Sequence, residues 1–286
     1  MTRPALLVTA DQQLMRGRAP MEFSDVRSEE GVTRRSFTVT VAGEDVPAVI
    51  WAPEGAAGPR PLVLMGHGGS QHKKTPGIRT RAVHYAQRHG YATLAIDAPG
   101  HGDRISRAEA ATLMRDVGAR VRGETTGGFT PERMRQMGER SRLAVPEWKA
   151  ALDAAQGFDF VGSGGPVGYW GVSMGTAIGV PFVAAEPRIG CAVFGLAGLR
   201  EGATEMAEAA AKIAIPVEFV FQWEDAVAPR EAGLALFNAF ASKQKTMHIN
   251  PGGHMDIPDF EGGSWERFFV RHLGAAVAAK QAVAAE

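Results

Sequence analysis

Short apolar runs alternate with helical patterns along most of this chain, and their spacing predicts its elements. Residues 36–41 and 46–51 flank Ala42-Gly43-Glu44-Asp45, which predicts a β-hairpin. Near-continuous apolar runs then predict strands at 61–65, 92–96, 167–170, 190–196, 217–222 and 246–249. Between them, a 3.6-residue period predicts helices over 77–89, 174–185, 204–212, 230–240 and 264–278, and the alanine-rich end 275–285 reads as helix. Strands that are apolar throughout are covered on both faces. The expected fold is therefore α/β: a mostly parallel sheet of eight strands with an antiparallel start and helices on both sides.

One connection is too long for an ordinary α/β unit. Residues 104–145 are expected to form a helical, lid-like insertion in an otherwise single domain spanning 1–286. Ser106-Arg107-Ala108-Glu109 reads as a capping box opening a helix to about Val117, and Thr130-Pro131 starts a second. Pro146 is expected to break that helix before a scaffold helix over 147–156. The stretch 1–35, polar with scattered apolar residues, has three candidate roles: covering the sheet, joining the lid, or making a homodimer contact.

Composition removes several function classes. Thirty-one basic and 31 acidic residues leave no net charge, which argues against a nucleic-acid partner. A single cysteine, Cys191, excludes an internal disulfide framework, and its apolar neighbours predict a buried strand position. The longest apolar run near the start, Ala5-Leu6-Leu7-Val8, is too short for a signal-peptide core, and no stretch approaches a membrane span. The expectation is a cytoplasmic protein with no membrane partner.

In parallel sheets covered by helices, ligands bind where the carboxyl ends of strands converge. Four segments fall at such ends: Gly66-His67-Gly68-Gly69-Ser70, Gly171-Val172-Ser173-Met174-Gly175, Trp223-Glu224-Asp225 and Gly252-Gly253-His254. The second places a serine between glycines at a strand-to-helix junction. A nucleophile on so sharp a turn needs small neighbours two positions away on either side. Serine is a weak nucleophile without a base, and His254, on a loop after the last strand, is the preferred one over His248, which lies inside the strand pattern. Met174, following the nucleophile, is expected to supply one oxyanion N–H.

With Ser, acid and His in that order, the chain resembles the α/β-hydrolase superfamily from about Ser36 to His272. The His-Gly-Gly loop, the antiparallel start and Asp97-Ala98-Pro99-Gly100-His101-Gly102-Asp103 look most like its dienelactone-hydrolase-like and prolyl-oligopeptidase-like esterases. Dienelactone hydrolases proper use cysteine where this chain has Ser173, so their substrate is not carried over. The resemblance implies a carboxylic-ester hydrolase with no cofactor, working on a small-molecule ester through an acyl-enzyme. Thioesterase, lactonase and amidase or peptidase activities share that scaffold, as does a non-catalytic ligand receptor. It also favours Asp225 over Glu224 as the acid, since Pro229 follows at the family's spacing, and places the second oxyanion donor at Gly69, or failing that Gly68.

No spacing among His67, His72, His84, His89, Asp97, His101 and Asp103 matches a metal site, so none is expected. Met114, Met134 and Met137 in the insertion, with Trp223 beside the acid, are the expected substrate contacts. Nine arginines against five acidic residues over 104–142 raise the further expectation that anionic esters are drawn in.

Overall fold

The computed structural model describes residues 22–124, 131–200 and 202–274. Its sheet has nine strands: β1 (Asp25–Glu29), β2 (Val32–Val41), β3 (Glu44–Pro53), β4 (Leu62–Gly66), β5 (Ala92–Ile96), β6 (Val167–Gly171), β7 (Ile189–Gly195), β8 (Val217–Gln222) and β9 (Lys245–Asn250). They lie in the order β1-β2-β3-β5-β4-β6-β7-β8-β9. The first three pair antiparallel, and β5, β4 and β6 to β9 pair parallel. The fold class is the expected α/β arrangement, with nine strands in place of eight. The extra strand is β1, Asp-Val-Arg-Ser-Glu, which is almost wholly exposed and so carries no apolar run to betray it. Residues 22–35 thus extend the edge of the sheet.

Both leading hairpins use two-residue turns with positive φ, at Glu30-Gly31 and Ala42-Gly43. That handedness matches the twist of the paired strands. In contrast, β4, β5 and β6 are buried at every position because helices cover both faces. One side is packed by α1 (Pro76–His89) and the late helix α7 (Phe260–Phe269), with Tyr85, Trp265 and Phe269 at its centre. On the other side lie α3 (Pro131–Gln156) and α4 (Met174–Ala184), where Trp148 stacks on Phe182 against Tyr169. Truncating a fully buried ring such as Phe182 to alanine costs about 3–5 kcal/mol.

Of residues 104–145, the described ones contain α2 (Arg107–Val121) and the first turns of α3. The Ser106 capping box is present, and the helix it opens runs one turn past the expected end. Pro146 does not break α3, which is continuous to Gln156. Both Pro146 and Arg142, whose carbonyl loses its helical partner, are exposed, so water can take the freed acceptor. The remaining helices are α5 (Thr204–Ala210) and α6 (Arg230–Ala239), and α7 passes into a π-turn over Val270–Gly274. The expected helical end 275–285 lies outside the described residues.

The strand order places the chemistry. Between β5 and β6 lies β4, the first parallel strand, so the chain leaves it in opposite directions and opens a crevice at its carboxyl end. Gly66 ends β4 directly opposite Gly171, which ends β6. The loops that follow them leave the sheet side by side.

Candidate active site

Ser173 occupies a backbone conformation that L-residues rarely adopt, φ 58° and ψ −118°. Its neighbours explain how it is held there. A Cβ on Gly171 would sit 2.8 Å from the Gly175 carbonyl oxygen, and one on Gly175 would sit 2.5 Å from that of Gly66. Only hydrogen fits at either position. The Ser173 N–H is bonded to Gly195 O at 2.8 Å, the Tyr169 hydroxyl donates to Gly175 O at 2.7 Å, and the Thr176 hydroxyl lies between the carbonyls of Gly171 and Gly195. The serine side chain itself makes no capping bond to α4, which leaves it available to another partner.

That partner is His254. Ser173 Oγ lies 2.9 Å from His254 Nε2, and His254 Nδ1 lies 2.7 Å from Asp225 Oδ2. A carboxylate only accepts, so Nδ1 carries the proton and Nε2 is left as an acceptor for the serine hydroxyl. Asp225 is aimed by its other oxygen, which accepts the N–H groups of Val227 and Ala228 at 2.7 and 2.8 Å. His254 and Asp225 are 7% and 5% exposed, dry enough for the pair to act with little competition from water. Glu224 turns away to the N–H of Gly252. His248 is directed to Glu261, 2.9 Å from its Nδ1.

The loop after β4 separates the two oxyanion candidates. Gly68 donates its N–H to Gln71 Oε1 at 3.1 Å, whereas among the described residues the N–H groups of Gly69 and Met174 have no acceptor. His67 fastens this loop from beneath: its Nδ1–H donates to Gly68 O at 2.9 Å and its Nε2 accepts the Ala98 N–H at 3.1 Å. Acceptance at Nε2 requires neutral imidazole, and burial pushes its pKa down to about 4. The neighbouring loop is set by Asp97, whose carboxylate takes the Lys73 ammonium and the N–H groups of Lys73 and Asp103. Asp103 gives its carboxylate to the same Lys73 ammonium.

Ser173, Met174, Gly69 and His254 open into a cavity of about 790 Å³. Met114 and Met137 line it; the Met134 side chain lies outside the described residues. Trp223 does not. Its ring is 48% exposed and stacks under Arg230, because strand alternation turns Gln222 inward and sends the next side chain out. Gln222 carries a function that its position in an apolar strand hid, since its amide donates to Pro251 O and Asp256 O and so ties down both sides of the His254 loop.

Arg81, in the second turn of α1, also lines the cavity and had no motif to announce it. Its guanidinium lies over the rings of Trp170 and Trp265, 4.4 and 4.7 Å from their centroids, and donates to Gly77 O at 2.8 Å. A cation over an aromatic face gains roughly 0.5–2 kcal/mol, while removing one from water costs several. The rings therefore offset only part of that cost, and burial holds the Arg81 pKa below its ordinary value.

Among the described residues, two clusters have donor sets able to hold a metal ion, His84 with His89 and Glu266, and Glu218 with His248 and Glu261. Neither contributes a residue to the cavity. No described helix is long and apolar enough to cross a membrane.

A serine on a strand–turn–helix elbow, at the crossover of a mostly parallel sheet, is the architecture of α/β hydrolases. No protein-family model and no curated protein matches the chain. Among solved structures, the PEG-bound complex of a cold-adapted esterase from an Arctic intertidal metagenomic library is 32% identical, with a TM-score of 0.73 over 88% of this chain and all of that one. An acetyl xylan esterase from a Paenibacillus species, 16% identical over 95% of this chain and 97% of its own, has a TM-score of 0.68. Dienelactone hydrolase from Anabaena variabilis, 18% identical over 85% and 100%, has 0.58. The chain belongs to the α/β-hydrolase superfamily, in its esterase branch. It is an ester-hydrolysing enzyme.

Proposed function

We propose that the chain cleaves carboxylic esters through a covalent acyl-enzyme on Ser173. The observation that carries this reading is the unbroken chain of hydrogen bonds from Ser173 Oγ through His254 to Asp225, at 2.9 and 2.7 Å. Ser173 Oγ attacks the ester carbonyl as His254 Nε2 takes its proton. The oxyanion that forms is stabilised by the N–H groups of Met174 and Gly69, each placed before the charge develops and each contributing several kcal/mol in such sites. His254 returns the proton to the leaving alcohol. Water then enters and attacks the acyl carbonyl as it gives a proton to His254; when the Ser173 Oγ–acyl bond breaks, His254 returns that proton to Oγ and the acid leaves. Asp225 keeps the imidazole in the required tautomer and stabilises it when charged.

Chemistry needs no cofactor. The scaffold is one domain, and α2 with the first turns of α3 forms a lid whose underside carries Met114 and Met137. A fluorophosphonate probe tests the nucleophile: the wild type is labelled and Ser173→Ala is not. Labelling that survives in the variant, or a wild type that stays unlabelled, overturns the reading. Turnover of nitrophenyl esters against an acyl thioester, a lactone and a peptide then ranks the possible acyl substrates.

A further inference from the structure

Away from the cavity, two strands and a helix bring ionisable side chains together on the face of the sheet that α7 covers. In the parallel register of β8 and β9, Val220 stands opposite His248 and Gln222 opposite Asn250. Strand side chains alternate with a period of two, so Glu218 shares that face with His248 and Asn250. Trp265 of α7 packs in one core with Val220, and the first turn of the same helix carries Glu261.

Glu261 is buried and both its oxygens are held: Asn250 Nδ2 donates to Oε1 at 2.8 Å, and His248 Nδ1–H donates to Oε2 at 2.9 Å. Glu218 is only 5% exposed and lacks such support. Its Oε1 has no hydrogen-bond partner among the described residues and faces the same His248 Nδ1 at 3.8 Å. Two carboxylates are thus buried around one imidazole, and among the described residues neither has a lysine or arginine within ion-pair distance. Burial raises the Glu218 pKa above the ordinary carboxylate value, and Arg267 acts on it only from further off. With both carboxylates ionised, even a charged His248 leaves one negative charge unmatched.

The geometry points to a structural site for a divalent cation of the zinc class, held by Glu218 Oε1, Glu261 Oε2 and His248 Nδ1. Ligand atoms about 2.1 Å from a tetrahedral ion stand about 3.4 Å apart, and the 2.9 and 3.8 Å separations around Nδ1 bracket that value. One imidazole nitrogen with two carboxylate oxygens suits zinc better than magnesium or calcium, which favour oxygen alone. Asn250 supplies the outer hydrogen bond that orients Glu261. When the cation binds, the ring hydrogen of His248 stands on Nε2, Nδ1 offers its lone pair, and water takes the fourth position. None of the three ligands lines the cavity. Asn250 ends β9 and Phe260 opens α7, so the ion fastens both ends of the segment that carries His254. The cluster of His84, His89 and Glu266 differs, because both imidazoles already pair with the one carboxylate.

The test adds zinc or magnesium to chelator-stripped full-length protein and follows binding by calorimetry and stability by thermal unfolding. Zinc at about a hundredfold excess over Kd is expected to raise the wild-type Tm by about 5 °C or more, and magnesium at the same concentration to leave it unchanged. His89→Gln, which disables the other cluster, should keep the zinc response. Glu218→Gln removes a buried, unpartnered charge at constant bulk, so its metal-free Tm should equal or exceed that of the wild type. Its zinc affinity should fall at least 10-fold and its zinc-induced rise disappear, and His248→Gln should do the same from the opposite ligand. A wild type that does not respond to zinc overturns the site. So does a response that survives in Glu218→Gln, is lost in His89→Gln, or is matched by magnesium. Should Glu218→Gln not fold, anomalous scattering from zinc-soaked wild-type crystals decides: a peak among the three side chains supports the site, and its absence there overturns it.

Discussion

Beneath Ser173 almost every backbone group is committed, whereas α2, on the opposite wall of the same cavity, has no buried residue in its 15. Gly66, Gly171, Gly175 and Gly195 are locked against one another or against Val220, and Tyr169 and Thr176 hold their carbonyls. The cover touches this floor through a few side chains, among them Val117, which lies 3.6 Å from where a Gly69 Cβ would stand, and Ser141, which donates to Ala177 O. The difference separates two requirements. Bond making needs atoms placed to fractions of an ångström, while admission of a substrate needs a surface able to adjust.

If the floor is tuned this finely, changing one atom in it should have a large effect on rate and a small one on stability. Asp225→Asn keeps an oxygen for the N–H groups of Val227 and Ala228, so the loop is retained. It places an NH2 group where His254 Nδ1–H now donates, favouring the tautomer that cannot accept from Ser173. We expect kcat to fall about 10⁴-fold with an unfolding midpoint close to wild type. A fall of less than tenfold would show that Asp225 does not orient His254.

The His67 contacts test the floor through pH. Free imidazole titrates near 6.5, but folded His67 does so only at about 4, so between those values the unfolded chain binds the additional proton. Stability contributed by this depressed pKa is complete above about pH 6.5 and is lost as pH falls toward 4, by roughly 3 kcal/mol in all. His101, also lowered by burial, acts in the same direction. Urea denaturation of the wild type and His67→Gln between pH 4 and 7 should give a markedly shallower pH dependence for the variant. Parallel curves would remove His67 as the source.

A third change probes the steric lock. An alanine at Gly175 places carbon 2.5 Å from the Gly66 carbonyl oxygen, which belongs to β4 and cannot turn aside. Overpacking of this kind costs about 1–3 kcal/mol, and here it also displaces the oxyanion loop, so activity should fall further than stability alone explains. Thermal unfolding alongside kcat measures both, and unchanged values of each would mean the elbow is not tight.

The same contrast governs what could be read from the amino acids. Buried parallel strands were legible as continuous apolar runs, and Ser173 through its two glycines, because in the floor each position admits few residue types. His254 was read from its loop after the last strand and Asp225 from the proline spacing that the family resemblance implies, and both lie within hydrogen-bond reach of their partners. Strand β1 was not legible, since a solvated edge strand needs no apolar pattern. Trp223 was misplaced by a single step of strand alternation, and Arg81, Thr176 and Gln222 gained their roles only from segments distant in sequence. Pro146 failed as a helix breaker because its local rule assumes that the freed carbonyl has nowhere to go.

The smallest effect is expected on the cover, where the comparison is sharpest because the substitution is chemically the same as at Gly175. Gly138 lies inside α3, and a Cβ there would meet only the end of the Arg142 side chain, at 3.8 Å. Glycine within a helix is less favourable than alanine by roughly 0.5–1 kcal/mol, because it loses more backbone freedom on folding. Gly138→Ala should therefore raise stability by about that amount, the opposite sign to Gly175→Ala. Its effect on kcat/KM should be under about twofold if the cover serves admission only by presenting side chains. A stabilised variant with sharply lower turnover would instead show that bending of α3 near Gly138 limits the rate, as expected where opening of a lid and not bond cleavage sets kcat.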